Sequence, residues 1–328
     1  MVTRTLGPID TLAAHADQTG RGIYLLTEYA EKGGKSGQSR HQLMLEDATG
    51  RITAFSWPER RPYVRLPPVP SAVAVQARVQ IFDGKVQFKL HSLDAIDVDQ
   101  VDLAAALLPR RRCPEIAHAA LDRLIALERD LPAPLNGFLR QVLLDPDIGI
   151  PFLRCRASVR QHHAYPGGLL VHCTEQLDLA ASIVARALPD DAWAPHVAGL
   201  GYLLHDIGKV RSVGETRRAD HGLVLRHETI GNNLLEPHLR WLDRRDSELA
   251  IGMRYVFEHL ALPWAMRRIP DYFVAEVAAM LDQWSAAAHN GRDLQHLLRR
   301  GVPATVAAIS GTAAANDSTH DQEVRHAG

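Results

Sequence analysis

The spacing of apolar residues changes once along this chain, and that change limits what it can fold into. Val73, Val75, Ala77, Val79 and Ile81, then Val86, Phe88 and Leu90, alternate with small or polar residues on either side of Asp83-Gly84. A period of two gives a strand one inward face, and Asp-Gly is a strong hairpin turn. Upstream, Ile23-Tyr24-Leu25-Leu26 opens a strand, and residues 42–45 and 51–57 flank the turn Asp47-Ala48-Thr49-Gly50. About five short strands in so few residues predict a small closed barrel, the OB-fold. Beyond residue 114 the period becomes helical, as in Leu121, Leu124, Ile125 and in Leu135, Phe138, Leu139, Val142, Leu143, and it persists almost to Asn290.

The expected fold class is therefore multidomain, an N-terminal small β-barrel (OB-fold) followed by an all-α domain. The boundaries read as an N-terminal extension at 1–20, the barrel at 21–98, a linker at 99–113, the helical domain at 114–300 and a disordered tail at 301–328. A chain of 328 residues with 46% hydrophobic content can fill both cores. Cys113, Cys155 and Cys173 have no paired spacing, which argues against a disulfide framework or a thiolate zinc site. The formal net charge of -1 excludes a uniformly basic coat and directs attention to local cationic clusters. No window approaches the roughly 20 apolar residues of a membrane span, and residues 1–8 lack a signal pattern. The expectation is a cytoplasmic protein with no membrane partner.

Two motifs in the helical half concentrate ligand chemistry. His162-His163-Ala164-Tyr165-Pro166-Gly167-Gly168-Leu169-Leu170-Val171-His172 puts His172 on an apolar run through Leu177, Leu179, Ile183 and Val184, read as one long helix. Leu203-Leu204-His205-Asp206-Ile207-Gly208-Lys209 closes a second helix carrying Val197, Leu200, Leu203 and Leu204, with Gly208 as its expected terminator. Adjacent helical residues point about 100° apart, so His205 and Asp206 can ligate from one helical edge. Imidazole plus carboxylate suits a divalent cation, with manganese, iron, magnesium, zinc and cobalt all compatible. Such an ion lowers the pKa of a bound water and neutralises phosphoryl oxygens.

The dipeptide alone is weak, because with 17 histidines about one His-Asp pair arises by chance. His320-Asp321 is such a pair, set in the polar tail without a helix. An aspartate closing an apolar helix is different, since burial requires it to be paired or ligating. Asp282, after the apolar run at 274–281, is the expected ligand completing the first site, against a solvated helix-end aspartate. His227 and His259 are candidates for a second ion, against buried histidines satisfied by hydrogen bonds. Lys209 reads as a phosphate contact or a helix-dipole lysine. His162, His163 and Tyr165 read as substrate contacts or as parts of a structural turn.

These residues resemble the HD-domain superfamily of metal-dependent phosphohydrolases, and more narrowly the YhaM-type 3′-5′ exoribonucleases, which join an OB-fold to an HD domain. The resemblance spans roughly residues 20 to 290. It implies that residues 114–300 are an HD domain, that His172, His205, Asp206 and Asp282 hold the catalytic metal, expected to be manganese, and that His227 and His259 extend it to two ions. Cys173 stands where a threonine is common, and Leu260 replaces the histidine expected beside His259. The same signature is similar to HD-type relaxase domains of conjugative elements, which keeps a DNA substrate open.

An OB barrel binds single strands by stacking bases on aromatic rings while cations follow the backbone. Tyr24, Phe55, Trp57, Phe82 and Phe88 are the available rings, although alternation assigns Phe88 to the core. Lys32, Lys35, Arg40, Arg51, Arg60, Arg61 and Arg65 supply charge, with Lys32, Lys35, Arg40 and Trp57 the expected substrate contacts. The glycine-rich stretch at 31–37 lacks the spacing of a P-loop and reads as a loop between strands. Arg110-Arg111-Arg112 reads as a phosphate contact or a solvated linker. The expected function is a metal-dependent 3′-5′ exonuclease on single-stranded nucleic acid, RNA before DNA, with Asp206 and Lys209 catalytic and a homo-oligomer among its partners. The alternatives are an HD-type nucleotide phosphohydrolase, a DNA-processing protein of a conjugative element, and an inert single-strand binding protein.

Overall fold

A computed structural model of the chain describes residues 4–33, 39–57, 66–268 and 270–289. Lys35, Arg60, Arg61, Arg65, most of the glycine-rich loop, the end of the helical domain at 290–300 and the tail at 301–328 lie outside these residues.

The alternating segment forms strands β1 (Arg4–Thr5), β2 (Thr19–Gly33), β3 (Ser39–Glu46), β4 (Arg51–Ser56), β5 (Ser71–Phe82) and β6 (Lys85–Ala95). The sheet closes in the order β2, β3, β4, β6, β5 and back to β2, with β4 and β6 parallel. This is the five-stranded closure of an OB-fold. The strands are not all short, because β2 runs 15 residues. Its length follows from double duty, pairing with β5 over residues 19–26 and with β3 over residues 25–33. A register shift between Leu26 and Glu28 marks the bulge at the changeover. Both expected hairpins form. Asp47 closes one by accepting from Thr49 N at 2.7 Å and Gly50 N at 2.9 Å, while Asp83 and Gly84 close the other at φ +49° and +69°.

Leu26, Leu43, Leu45, Val73, Val75 and Val79 fill the barrel. Tyr24, read as a ring open to bases, is instead buried 5.6 Å from Phe88, with its hydroxyl on Gly7 O at 2.9 Å. The barrel also draws on residues before 21, since Leu6 and Leu12 lie in its core and Asp47 accepts from Ile9 N at 2.9 Å. The stretch at 99–113 packs against both halves of the chain. Glu128, fully buried, accepts from Ala104 N at 2.8 Å and Ala105 N at 2.6 Å. Arg110 donates to Ala48 O at 2.6 Å and pairs with Asp122, and Arg112 pairs with Glu28 at 2.8 Å.

The helical half comprises α1 (His118–Asp130), α2 (Ala133–Leu143), α3 (Gly149–Arg154), α4 (Gly168–Thr174), α5 (Leu177–Ala187), α6 (Ala194–Leu204), α7 (Lys209–Ser212), α8 (Asp220–Val224), α9 (His227–Asp243), α10 (Ser247–Ala261) and α11 (Phe273–His289). Residues up to Leu281 form one compact unit, and α11 carries the chain onward through Asp282. Helix α6 is buried from Val197 to Leu204, so its C-terminal end is delivered to the interior. Among the described residues, no helix is long and apolar enough to cross a membrane.

Two local readings change. The run expected as one helix is two, α4 and α5, broken at Glu175 and Gln176. The Thr174 hydroxyl donates to Leu170 O at 2.8 Å, a back-bond that competes with the helical ladder and favours a bend. Gly208 does not end α6 in a left-handed conformation, since its φ is -63°. Glycine is needed there for closeness, because a Cβ would lie 1.9 Å from His227 O at the start of α9.

Candidate metal centre

Four elements bring side chains to one point. Helix α4 supplies His172, the end of α6 supplies His205 and Asp206, α9 opens with His227, and α11 carries Asp282. One ligand atom each from His172, His205, Asp206 and Asp282 lies within 4.8 Å of every other. Nε2 of His172 is 3.2 Å from Nε2 of His205 and 3.2 Å from Oδ2 of Asp206, and the His205–Asp206 separation is 3.3 Å.

The protonation of these rings follows from their far sides. Nδ1 of His205 lies 2.6 Å from Tyr202 O, and because a carbonyl only accepts, that nitrogen carries the proton. Nδ1 of His172 faces the Glu175 carboxylate at 3.5 Å, and Tyr202 donates its hydroxyl to His172 O at 3.0 Å. Both neutral rings thus aim Nε2 lone pairs at each other and at a carboxylate oxygen. Converging acceptors repel unless a cation lies among them, so the donor set fits a divalent metal.

Asp206 is buried, and burial alone would raise its carboxyl. The positive charge of Lys209 beside it outweighs that and holds it well below the usual carboxylate range. Lys209 Nζ sits directly on Oδ2. The other oxygen, Oδ1, lies 2.9 Å from Nε2 of His227. Cys155 Sγ is 3.3 Å from Lys209 O, but burial pushes its thiol up to about 12, so it offers no thiolate.

The loop before α4 wraps the outer side of His172. Gly167 adopts φ +80° to open that helix, a conformation that favours glycine. His163, itself at φ +51°, sets Nδ1 2.9 Å from the Tyr165 hydroxyl and Nε2 3.3 Å from Glu175. The His162 ring lies 5.2 Å from that of His172. His163, His172 and Glu175 form a second group whose ligand atoms lie within 4.8 Å. His259 stands apart. It is buried on α10 with Nε2 3.4 Å from Glu276, and among the described residues it belongs to neither metal-competent group.

Glu175 was not singled out by sequence reasoning, yet it touches His163 and His172, two of the three histidines of that motif. Its signal was its position three residues after His172, which shares a helical face. Tyr202 was also missed, its hydroxyl hidden in an apolar helix.

On the barrel, Phe55 and Trp57 alternate with buried Ile52, Ala54 and Ser56, so they share the outward face. Their ring centroids are 6.4 Å apart, and the Arg40 guanidinium lies 5.2 Å over Phe55. Lys32 pairs in register with Arg40 across β2 and β3, and both are exposed. Phe82 is 70% exposed beside its hairpin turn.

No known protein-family model matches the chain. It is similar to the protein named 3′-5′ exoribonuclease YhaM from Bacillus pumilus, with 24% identity over 84% of this chain and 88% of the relative. The YhaM of Bacillus licheniformis is 24% identical over 80% of this chain and 84% of its own, and that of Shouchella clausii 26% identical over 74% and 76%. Among solved structures, an OB domain from Thermoplasma acidophilum covers 29% of this chain and 89% of its own, at 19% identity and a TM-score of 0.22. The second OB-fold domain of replication protein A from Methanococcus maripaludis covers 25% and 87%, at 14% identity and a TM-score of 0.20.

Proposed function

We propose that this chain is a metal-dependent phosphodiesterase of the HD superfamily that degrades single-stranded RNA from its 3′ end. The observation that carries this reading is the convergence of acceptor atoms from His172, His205, Asp206 and Asp282. The 3′ polarity and the RNA substrate rest on the exoribonuclease relatives, whose similarity covers both the barrel and the helices.

When bound, a divalent ion supplies charge neutralisation for the phosphoryl oxygens and an acidified water as nucleophile. Two imidazoles and two carboxylates form a mixed donor set, which suits manganese, iron, zinc or cobalt better than the oxygen-preferring magnesium. Glu175 and Tyr202 O orient the two rings through their Nδ1 atoms. Asp206 directs Oδ2 at His172 and His205 and Oδ1 at His227, so a second ion would be held on the His227 side of the same carboxylate. Lys209, half-buried beside Asp206, adds a positive charge that stabilises the developing negative charge on phosphate. His162 lines the same cleft as Lys209 and His227, within reach of a substrate end. On the barrel, Trp57 and Phe55 stack bases while Arg40 and Lys32 meet the backbone. The free cysteines, buried or half-buried, fit a reducing cytoplasm.

The test is a time course on 5′-labelled single-stranded RNA and DNA with Mn²⁺, with chelator, and with Asp206→Ala. A ladder shortening from the 3′ end, abolished by chelator and by the substitution, supports the reading. Tight binding without cleavage would instead identify an inert binding protein, and turnover confined to free nucleotides a nucleotide phosphohydrolase.

A further inference from the structure

The geometry points to a phosphate track in the cleft between the barrel and the helices, where Arg51, Arg111 and Arg154 hold the backbone of a single strand on its way to the metal centre. This inference rests on the nuclease reading and names where that enzyme grips its substrate outside the barrel face.

The cleft has a volume of about 930 Å³. Its barrel wall is formed by Glu28, Glu46 and Arg51, and its helical wall includes Arg154 and Arg156. Arg111 and Arg112 stand where the two walls meet in sequence. Five arginines against three glutamates, the third being Glu215, concentrate positive charge in a chain whose net charge is -1. The glutamates do not neutralise it evenly. Glu28 and Glu46 are both engaged by Arg112, at 2.8 and 3.3 Å. Among the described residues, Arg51, Arg111 and Arg154 make no ion pair and no side-chain hydrogen bond, and all three are exposed. The run Arg110-Arg111-Arg112 is thereby divided, with Arg110 tied to the barrel and to α1, Arg112 tied to the barrel, and Arg111 left open to the cleft.

The cleft adjoins the one beside the metal centre. Val213 lines it and also lines a second cleft of about 840 Å³ that contains His162, Lys209 and His227. Arg156 joins the two regions by donating to Ala164 O at 2.6 Å, in the loop that wraps His172. Small-molecule pockets are mostly apolar with a few polar groups. A wall of guanidinium groups beside a second cleft lined by Arg160, Lys209, Arg217, Arg218 and Arg226 suits a polyanion that extends along both. A guanidinium engaged on a phosphate reads no base, so RNA and DNA strands are gripped alike.

The experiment compares the full chain with Arg111→Ala/Arg154→Ala, and with Arg129→Ala as an exposed control on α1. Binding of a labelled 20-mer of uridine or thymidine is measured in chelator across a salt series. Hydrolysis of the RNA 20-mer and of a uridine dinucleotide is measured with Mn²⁺. The double variant is expected to bind either 20-mer at least about 10-fold more weakly and to lower the salt slope by about 1.4, at about 0.7 per lost phosphate contact. It should lose kcat/KM on the 20-mer alone, with the dinucleotide rate and the thermal midpoint unchanged. Unchanged affinity and salt slope in the double variant overturn the track, as does an equal loss on dinucleotide and 20-mer. If the unaltered chain neither binds nor cuts either strand, the nuclease reading fails and the track falls with it.

Discussion

Glu175 presents Oε1 3.5 Å from Nδ1 of His172, the ring nitrogen opposite the one that faces Asp206. A carboxylate behind a ligating imidazole fixes its tautomer and orientation and raises its basicity, and removing such a partner costs about 10- to 100-fold in metal affinity or activity. Glu175→Gln should therefore weaken Mn²⁺ binding by that range and lower kcat more than it raises KM, in a protein that remains folded. Unchanged Mn²⁺ affinity, measured calorimetrically, would show that Glu175 only shapes the turn between α4 and α5.

On the barrel, Trp57 and Tyr24 are predicted to fail in different ways. Trp57→Ala should weaken single-strand binding by about 1–3 kcal/mol, the worth of one stacked base, with little change in melting temperature. Tyr24→Ala empties a site in the core beside Phe88 and should cost about 3–5 kcal/mol of stability. Strand titrations and thermal melts on both variants separate the roles. Full strand affinity in Trp57→Ala would remove the stacking face.

How much of this was legible in the sequence depended on whether a signal was local. Period-two alternation and the turns at Asp47 and Asp83 specified the barrel, because pleat and turn chemistry act over few residues. His205-Asp206 was legible because an aspartate closing an apolar helix needs a partner, whereas His320-Asp321 has no such setting. The break at Glu175 was hidden, since Leu169, Leu177 and Val184 keep helical spacing across it while a threonine back-bond bends the chain. Gly208 showed as a helix terminator, but its cause is α9 passing close by, a contact between segments distant in sequence. Arg110, Arg111 and Arg112 look equivalent in one dimension, and only the fold gives two of them partners.

Glu128 joins the 99–113 stretch to α1 through two backbone N–H groups. Replacing it with alanine leaves both donors buried without an acceptor, at about 1–3 kcal/mol each. Glu128→Ala should lose about 2–5 kcal/mol in urea unfolding. A loss below about 1 kcal/mol would mean that the two amides find other partners.

Asp145 ties the end of α2 to α9 by accepting from His238 at 3.0 Å. Burial opposes its charge, but the His238 hydrogen bond, the Asp147 N–H and the charges of His238 and Arg211 lower its carboxyl below the ordinary value. A depressed carboxyl stabilises the fold above the unfolded pKa of about 3.9 and loses that contribution as pH falls through the native value. Asp145→Asn should cost about 1 kcal/mol near neutrality, after screening at this partly exposed site, and the gap from the parent should close toward pH 3. A gap independent of pH in thermal melts would contradict the assignment.

The central claim is that His172, His205, Asp206 and Asp282 bind one divalent ion together, and titrating metal-free protein with Mn²⁺ measures it most directly. The unaltered chain is predicted to bind at least one equivalent, with affinity falling on the order of 100-fold or more in Asp206→Ala and in Asp282→Ala. Equal stoichiometry and affinity in all three proteins would contradict it.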